Sequence, residues 1–106
     1  MSIFNFVTRS EEKAFVVKQV EQLRKDLPPT LIAEARGKVT VNKITRSLER
    51  VYASATNFRD ERHLGFMGRA VLANAFKWEL KEASYPDEFV DMATEGLIVA
   101  LSKAKA

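Results

Sequence analysis

The side chains able to do chemistry are few in this chain of 106 residues, and their spacing narrows the choices further. His63, in the run Asp60-Glu61-Arg62-His63, is the only histidine, and cysteine is absent. A metal site built on histidine usually needs a second imidazole with carboxylates at ligand spacing. The paired Glu-x-x-His motif of di-iron helical bundles is missing as well. His63 therefore reads as a solvated loop residue or as a charge at a helix C-terminus. Without cysteine there is no thiolate nucleophile, thiolate metal ligand or disulfide. No serine sits in a Gly-x-Ser-x-Gly turn, and neither a phosphate loop nor a dinucleotide fingerprint occurs. Gly65-Phe66-Met67-Gly68-Arg69 puts two glycines near a helix start, where an anion could bind. A helix junction explains the same glycines without any ligand.

The carboxylates form one row. Asp87, Asp91 and Glu95 recur at i, i+4 and i+8, with Glu88 beside them. Like charges at this spacing oppose a helix by a few tenths of a kcal/mol per pair. Nothing near them signals an apolar pocket able to shift a carboxyl pKa, so acid–base catalysis is not expected. The row is either a solvated outer face or an acidic docking strip for a basic partner.

The basic residues are also segregated. Residues 36–69 carry eight basic groups against three acidic ones, net +5, whereas residues 70–95 are net −4 and residues 1–35 are neutral. Such polarity bears on partners rather than on fold. A short helix over Thr30–Arg36, a turn at Gly37 and a longer helix from about Thr40 look like a helix-turn-helix unit. Asn42, Lys43, Thr45 and Arg46 would then reach base edges, with Lys38 and Arg50 on phosphates. The turn is longer than the usual three or four residues, and no aromatics interleave for single-strand stacking. A solvated basic face accounts for the same side chains.

Helical periodicity supplies the elements that must position these groups. Thr8 and Glu11 are spaced as a capping box, Ser10 is a competing cap, and Phe6 or Val7 is placed as the hydrophobic staple. Residues 1–9 would then be an N-terminal arm, covering the core or docking on another subunit. Helix 1 runs to about Asp26 with Val16, Val20, Leu23 and Leu27 on its stripe, and Pro28-Pro29 ends it. Lys38-Val39-Thr40-Val41 has strand-like composition but no second strand to pair with, so it is read as a linker. Helix 3, from about Thr40 to Arg62, has Val41, Ile44, Leu48, Val51, Tyr52, Ala55 and Phe58 on its apolar face. Pro86, followed by Asp87 and Glu88, starts helix 5, whose stripe is Phe89, Val90, Ala93, Leu97, Ala100 and Leu101. Residues 102–106 form a frayed tail.

Helix 4, about residues 66–83, is the most apolar and is placed at the centre. Leu72, Phe76, Leu80 and Ala83 form one face, flanked by Ala73, and Met67, Val71, Ala75 and Trp78 form a second. A chain of this length has room for one core, so the second line is a candidate protein interface unless helix 1 or the arm covers it. Met92, Ile98 and Val99 lie off the helix 5 stripe in the same way.

The expected fold is an all-α, single-domain bundle of four main helices plus one short helix, with helix 4 central. The expected function is a non-enzymatic protein–protein interaction module, an adaptor or regulator that self-associates as a homodimer. A small DNA-binding regulator using residues 30–50 is the alternative. No cofactor, metal or small-molecule substrate is implied. No run of about 18 apolar residues marks a membrane span, and neither signal features nor cysteines argue against a cytoplasmic setting.

Overall fold

The computed structural model describes residues 3–33 and 41–103, with side chains described from residue 11 onward. It contains five helices: α1 Ile3–Asp26, α2 Pro29–Ala33, α3 Val41–Arg62, α4 Phe66–Glu82 and α5 Asp87–Ser102. The all-α bundle of four main helices and one short one expected from periodicity is what forms.

Each long helix contributes one stripe to a common core. Val16, Val20, Leu23 and Leu27 come from α1 and its end, and Leu48, Val51 and Ala55 from α3. Leu72, Ala73, Phe76 and Leu80 come from α4, and Phe89, Val90, Ala93, Leu97 and Leu101 from α5. Helix α4 packs against both α1 and α5, while α3 closes the ring by packing on α5 and α1. The result is two antiparallel pairs, α1–α3 and α4–α5, laid face to face. The smallest principal extent, 19 Å, is the thickness of two helix layers.

Two charged side chains continue the apolar stripes. Glu12, four residues before Val16, is 2% exposed, and Arg59, four residues after Ala55, is 8% exposed. Arg59 is satisfied by the far end of α5, donating through Nη1 to the Leu101 carbonyl at 2.8 Å and the Lys103 carbonyl at 2.9 Å. Its Nε donates to Asp60 at 2.9 Å. A fixed cation thus meets the carbonyls that a helix C-terminus leaves without partners.

The helix junctions use the same device twice. After α4, the Tyr85 amide donates to the Leu80 carbonyl and the Ser84 amide to that of Lys81, with Ser84 at φ 73°. After α3, the Leu64 amide donates to Arg59 and that of His63 to Asp60, with His63 at φ 54°. Both are Schellman caps with a left-handed residue that is not glycine. The break between helices 3 and 4 falls within the expected Arg62–Gly68 window.

Three expectations are corrected. Helix α1 begins at Ile3, so Thr8 and Ser10 lie inside it and the arm of residues 1–9 is helical from residue 3. No glycine or proline interrupts that stretch, so the ladder continues through it. Val41, placed on the apolar face of α3, is 77% exposed because it lies a turn before Ile44, which packs on the edge of the core. Ala100 on α5 is only partly buried. The short helix is described from Pro29 to Ala33, and its expected end at Arg36 lies outside the described residues. The turn around Gly37 and the linker residues Lys38–Thr40 lie outside the described residues.

Candidate functional site

Three sets of side chains were singled out by spacing, and the structure places them on different faces. The line on α4 is divided. Met67 is 67% and Trp78 54% exposed, whereas Val71 and Ala75 between them are half-buried, with Ala75 packed on the core. Helix α1 packs against α4, and by helical phase Val71 and Ala75 lie nearer the core side than Met67 and Trp78. Trp78 is therefore not core. Its ring lies 5.2 Å from the Lys81 ammonium, a cation–π pair on the open surface.

Trp78 belongs to a larger outer face. Seven large apolar side chains are exposed among those described, and six of them, Phe66, Met67, Trp78, Met92, Ile98 and Val99, are on α4 and α5. Buried Leu72, Phe76 and Leu80 fix which side of α4 is inward, and Val90, Ala93 and Leu97 do the same for α5. At about 100° per residue, Met67 and Trp78 then lie opposite the core on α4, as do Met92 and Val99 on α5. Between the two helices runs an open groove of about 450 Å³. Phe66, Ala70 and Ala73 form one wall, and Ile98 and Leu101 the other. Small side chains on α4 are what leave this space. Thr94 at its floor is 8% exposed, and its hydroxyl has no hydrogen-bond partner among the described residues.

Charge divides along the groove. Arg69, Lys77 and Lys81 belong to α4, and Arg69 and Lys77 line the groove itself. The acidic row Asp87, Asp91 and Glu95 is exposed on α5, together with Glu88. Asp87 and Glu88 stand in the first turn of α5, where they complement its dipole. Asp91 and Glu95 are further along and gain little from it. The ion pairs among the described residues, Arg50–Asp26, Arg59–Asp60 and Arg62–Glu11, involve none of these groups.

The basic face of α3 lies on the other helix pair. Asn42, Lys43, Arg46 and Arg50 are exposed, and the last three surround Asp26 in a shallow cleft with Ser47. Arg50 is ion-paired to Asp26 at 3.1 Å, which tethers α3 to the end of α1. Lys38 lies outside the described residues. Residues 34–40, which would join α2 to α3 in a DNA-reading unit, lie outside the described residues.

Glu12 accounts for one of the two glycines at the start of α4, Gly68; around Gly65 there is open space. A Cβ on Gly68 would lie 3.2 Å from Glu12 Oε2 and 3.0 Å from Leu64 Cδ2. The first turn of α4 thus has the chain's own carboxylate against it, in the place offered to an external anion. His63 is exposed in the turn after α3, with no catalytic partner among the described residues. Among those residues no three His, Cys, Asp or Glu side chains converge as a metal-binding group, and no helix is long and apolar enough to cross a membrane.

Two tyrosines among the described residues have displaced pKa values. Burial pushes the Tyr52 phenol up to about 12, and it donates to the Ala93 carbonyl at 2.8 Å. Burial also pushes Tyr85 to about 12, with Arg24 lowering and Asp26 raising it to lesser extents. Tyr85 donates to the Leu27 carbonyl at 2.6 Å. Both phenols tie helices together and neither faces the groove.

Comparison with protein-family models, with curated proteins and with solved structures gave no match for this chain.

Proposed function

We propose that this chain is a non-enzymatic cytoplasmic interaction module, an adaptor or regulator, whose docking surface is the outer face of the α4–α5 pair. One observation carries it. Six of the seven exposed large apolar side chains among those described lie on these two helices, flanking a groove with apolar walls. Scattered single apolar residues are ordinary on a protein surface, but a concentration of this kind marks an interaction site. Tryptophan and methionine are the types enriched at the centres of interfaces.

Affinity capture from the cell that makes the protein tests this. Proteins held by the wild type should be lost when Trp78→Glu and Ile98→Glu are combined, with the helical circular dichroism unchanged. Retention of the same set by the double variant contradicts the proposal.

A DNA-binding role is the second reading, favoured by the exposure of Asn42, Lys43, Arg46 and Arg50 on α3. It is weakened by Asp26, whose carboxylate sits within the same basic cleft and neutralises Arg50.

A further inference from the structure

We propose that the occupant of the α4–α5 face is a second copy of this chain, docked about a two-fold axis so that α4 of each copy lies over α5 of the other. This rests on the α4–α5 face being the docking surface and names what binds there.

Charge complementarity argues for a like partner. The outer side of α4 bordering the groove is basic, with Lys77 and Lys81, whereas that of α5 is acidic, with Asp91 and Glu95. The acidic residues of α4, Glu79 and Glu82, fall by helical phase toward its α1 side. Although α4 and α5 are neighbours, their outer charges form no ion pair with one another among the described residues. A surface with one basic and one acidic ridge side by side is its own complement when turned over. The rotation axis then runs along the groove, and each basic ridge meets an acidic one.

The apolar residues fall into register under the same rotation. The hairpin sets the start of α4 beside the end of α5, as Phe66 and Arg69 sharing the groove with Leu101 and Ser102 shows. Trp78 is therefore near the level of Met92, and Met67 near that of Val99. After the rotation Trp78 of one copy faces Met92 of the other, and Met67 faces Val99. Lys77 and Lys81 come over Asp91 and Glu95. The two grooves face each other, and Phe66 and Ile98 from both copies fill the shared interior as in an antiparallel four-helix bundle. Helices of 17 and 16 residues give a footprint of about 500 Å² per copy at 1.5 Å rise and roughly 10 Å width. That lies below the ~800 Å² per partner of a standard interface, so the test extends to high micromolar chain.

The test is sedimentation velocity from low to high micromolar chain, on wild type and two charge-reversed variants. One carries Lys77→Glu with Lys81→Glu, so both ridges are acidic. The other carries Asp91→Lys with Glu95→Lys, so both are basic. These positions lie outside the core, and circular dichroism confirms that each variant is folded. The wild type is expected to dimerise, each variant alone to do so at least about tenfold more weakly, and their equimolar mixture to recover the wild-type dimer. A wild type that is monomeric throughout overturns self-docking. If it remains monomeric yet loses captured proteins with Trp78→Glu and Ile98→Glu, only the identity of the partner has failed. Variants that dimerise like the wild type, or a mixture that does not recover, also overturn it.

Discussion

The phenol of Tyr52 on α3 occupies the space that a side chain at Gly96 on α5 would need. A Cβ at Gly96 would lie 2.8 Å from the ring's Cζ and 3.0 Å from its Cε2, well inside van der Waals contact. The absence of a side chain at Gly96 is what lets the hydroxyl reach the Ala93 carbonyl and lock α3 against α5.

Gly96→Ala should therefore destabilise the fold. Overpacking typically costs about 1–3 kcal/mol, against roughly 1 kcal/mol gained from alanine's better helix propensity. A net loss of up to about 2 kcal/mol is expected from chemical denaturation. Stability equal to or above wild type would mean that Tyr52 moves aside freely.

Arg59 separates a structural cation from a superficial one. Its replacement by methionine leaves the Leu101 and Lys103 carbonyls without their donor and should cost about 2–4 kcal/mol. Arg50→Ala removes only an exposed pair with Asp26 and should cost at most about 1 kcal/mol. Denaturation midpoints of the two variants check this ordering, and the reverse order contradicts it.

Ser84 carries a backbone strain that can be relieved. For a residue other than glycine the left-handed conformation costs about 1–2 kcal/mol, so Ser84→Gly should stabilise by roughly 1 kcal/mol once unfolded-state entropy is counted. Thermal melting reads the gain. A loss would show that the serine makes a compensating contact.

Alkaline pH should unfold the protein in a defined window. Tyr52 and Tyr85 have folded pKa values near 12 against an ordinary value of 10.0, so the folded state holds their protons more tightly. The stability this contributes is fully present below pH 10 and is lost as pH rises toward about 12. Tyrosinate absorbance and helicity should change together there. Tyr52→Phe with Tyr85→Phe should flatten the dependence across that range, while lowering stability below it through the two lost hydrogen bonds.

If docking through α4–α5 is the function, duplex DNA should show no affinity for this chain even at about 50 mM salt. Binding with a steep salt slope, abolished by Lys43→Glu with Arg46→Glu, would place the basic face of α3 ahead of the α4–α5 face.

The helical periods were legible because apolar residues recur at three and four positions throughout; the core stripe of α1 matches them residue by residue, and that of α4 does so except at Ala83, which is partly buried past the helix end. Glu12 and Arg59 went unread for one reason: charge masked their position in otherwise apolar rows. A carboxylate four residues before Val16 and a guanidinium four after Ala55 are signals that could have been followed. The caps at His63 and Ser84 lack the glycine that usually announces a left-handed residue, and Ile3–Val7 lacks a breaker that would have separated helix from arm. For the candidate interface, spacing identified Met67 and Trp78 but included Val71 and Ala75, since a single helix does not reveal which flank its neighbour covers. Pairing Phe66 with Ile98 across a groove needed the hairpin itself.

The account turns on where this molecule is touched by others. A photoreactive amino acid placed at Ile98, and at exposed Asn57 on α3 as the control, measures that in the cell that makes the protein. The expected result is a crosslinked protein adduct from position 98 and none from position 57. No adduct from position 98, or equal adducts from both, would contradict a docking role for the α4–α5 face.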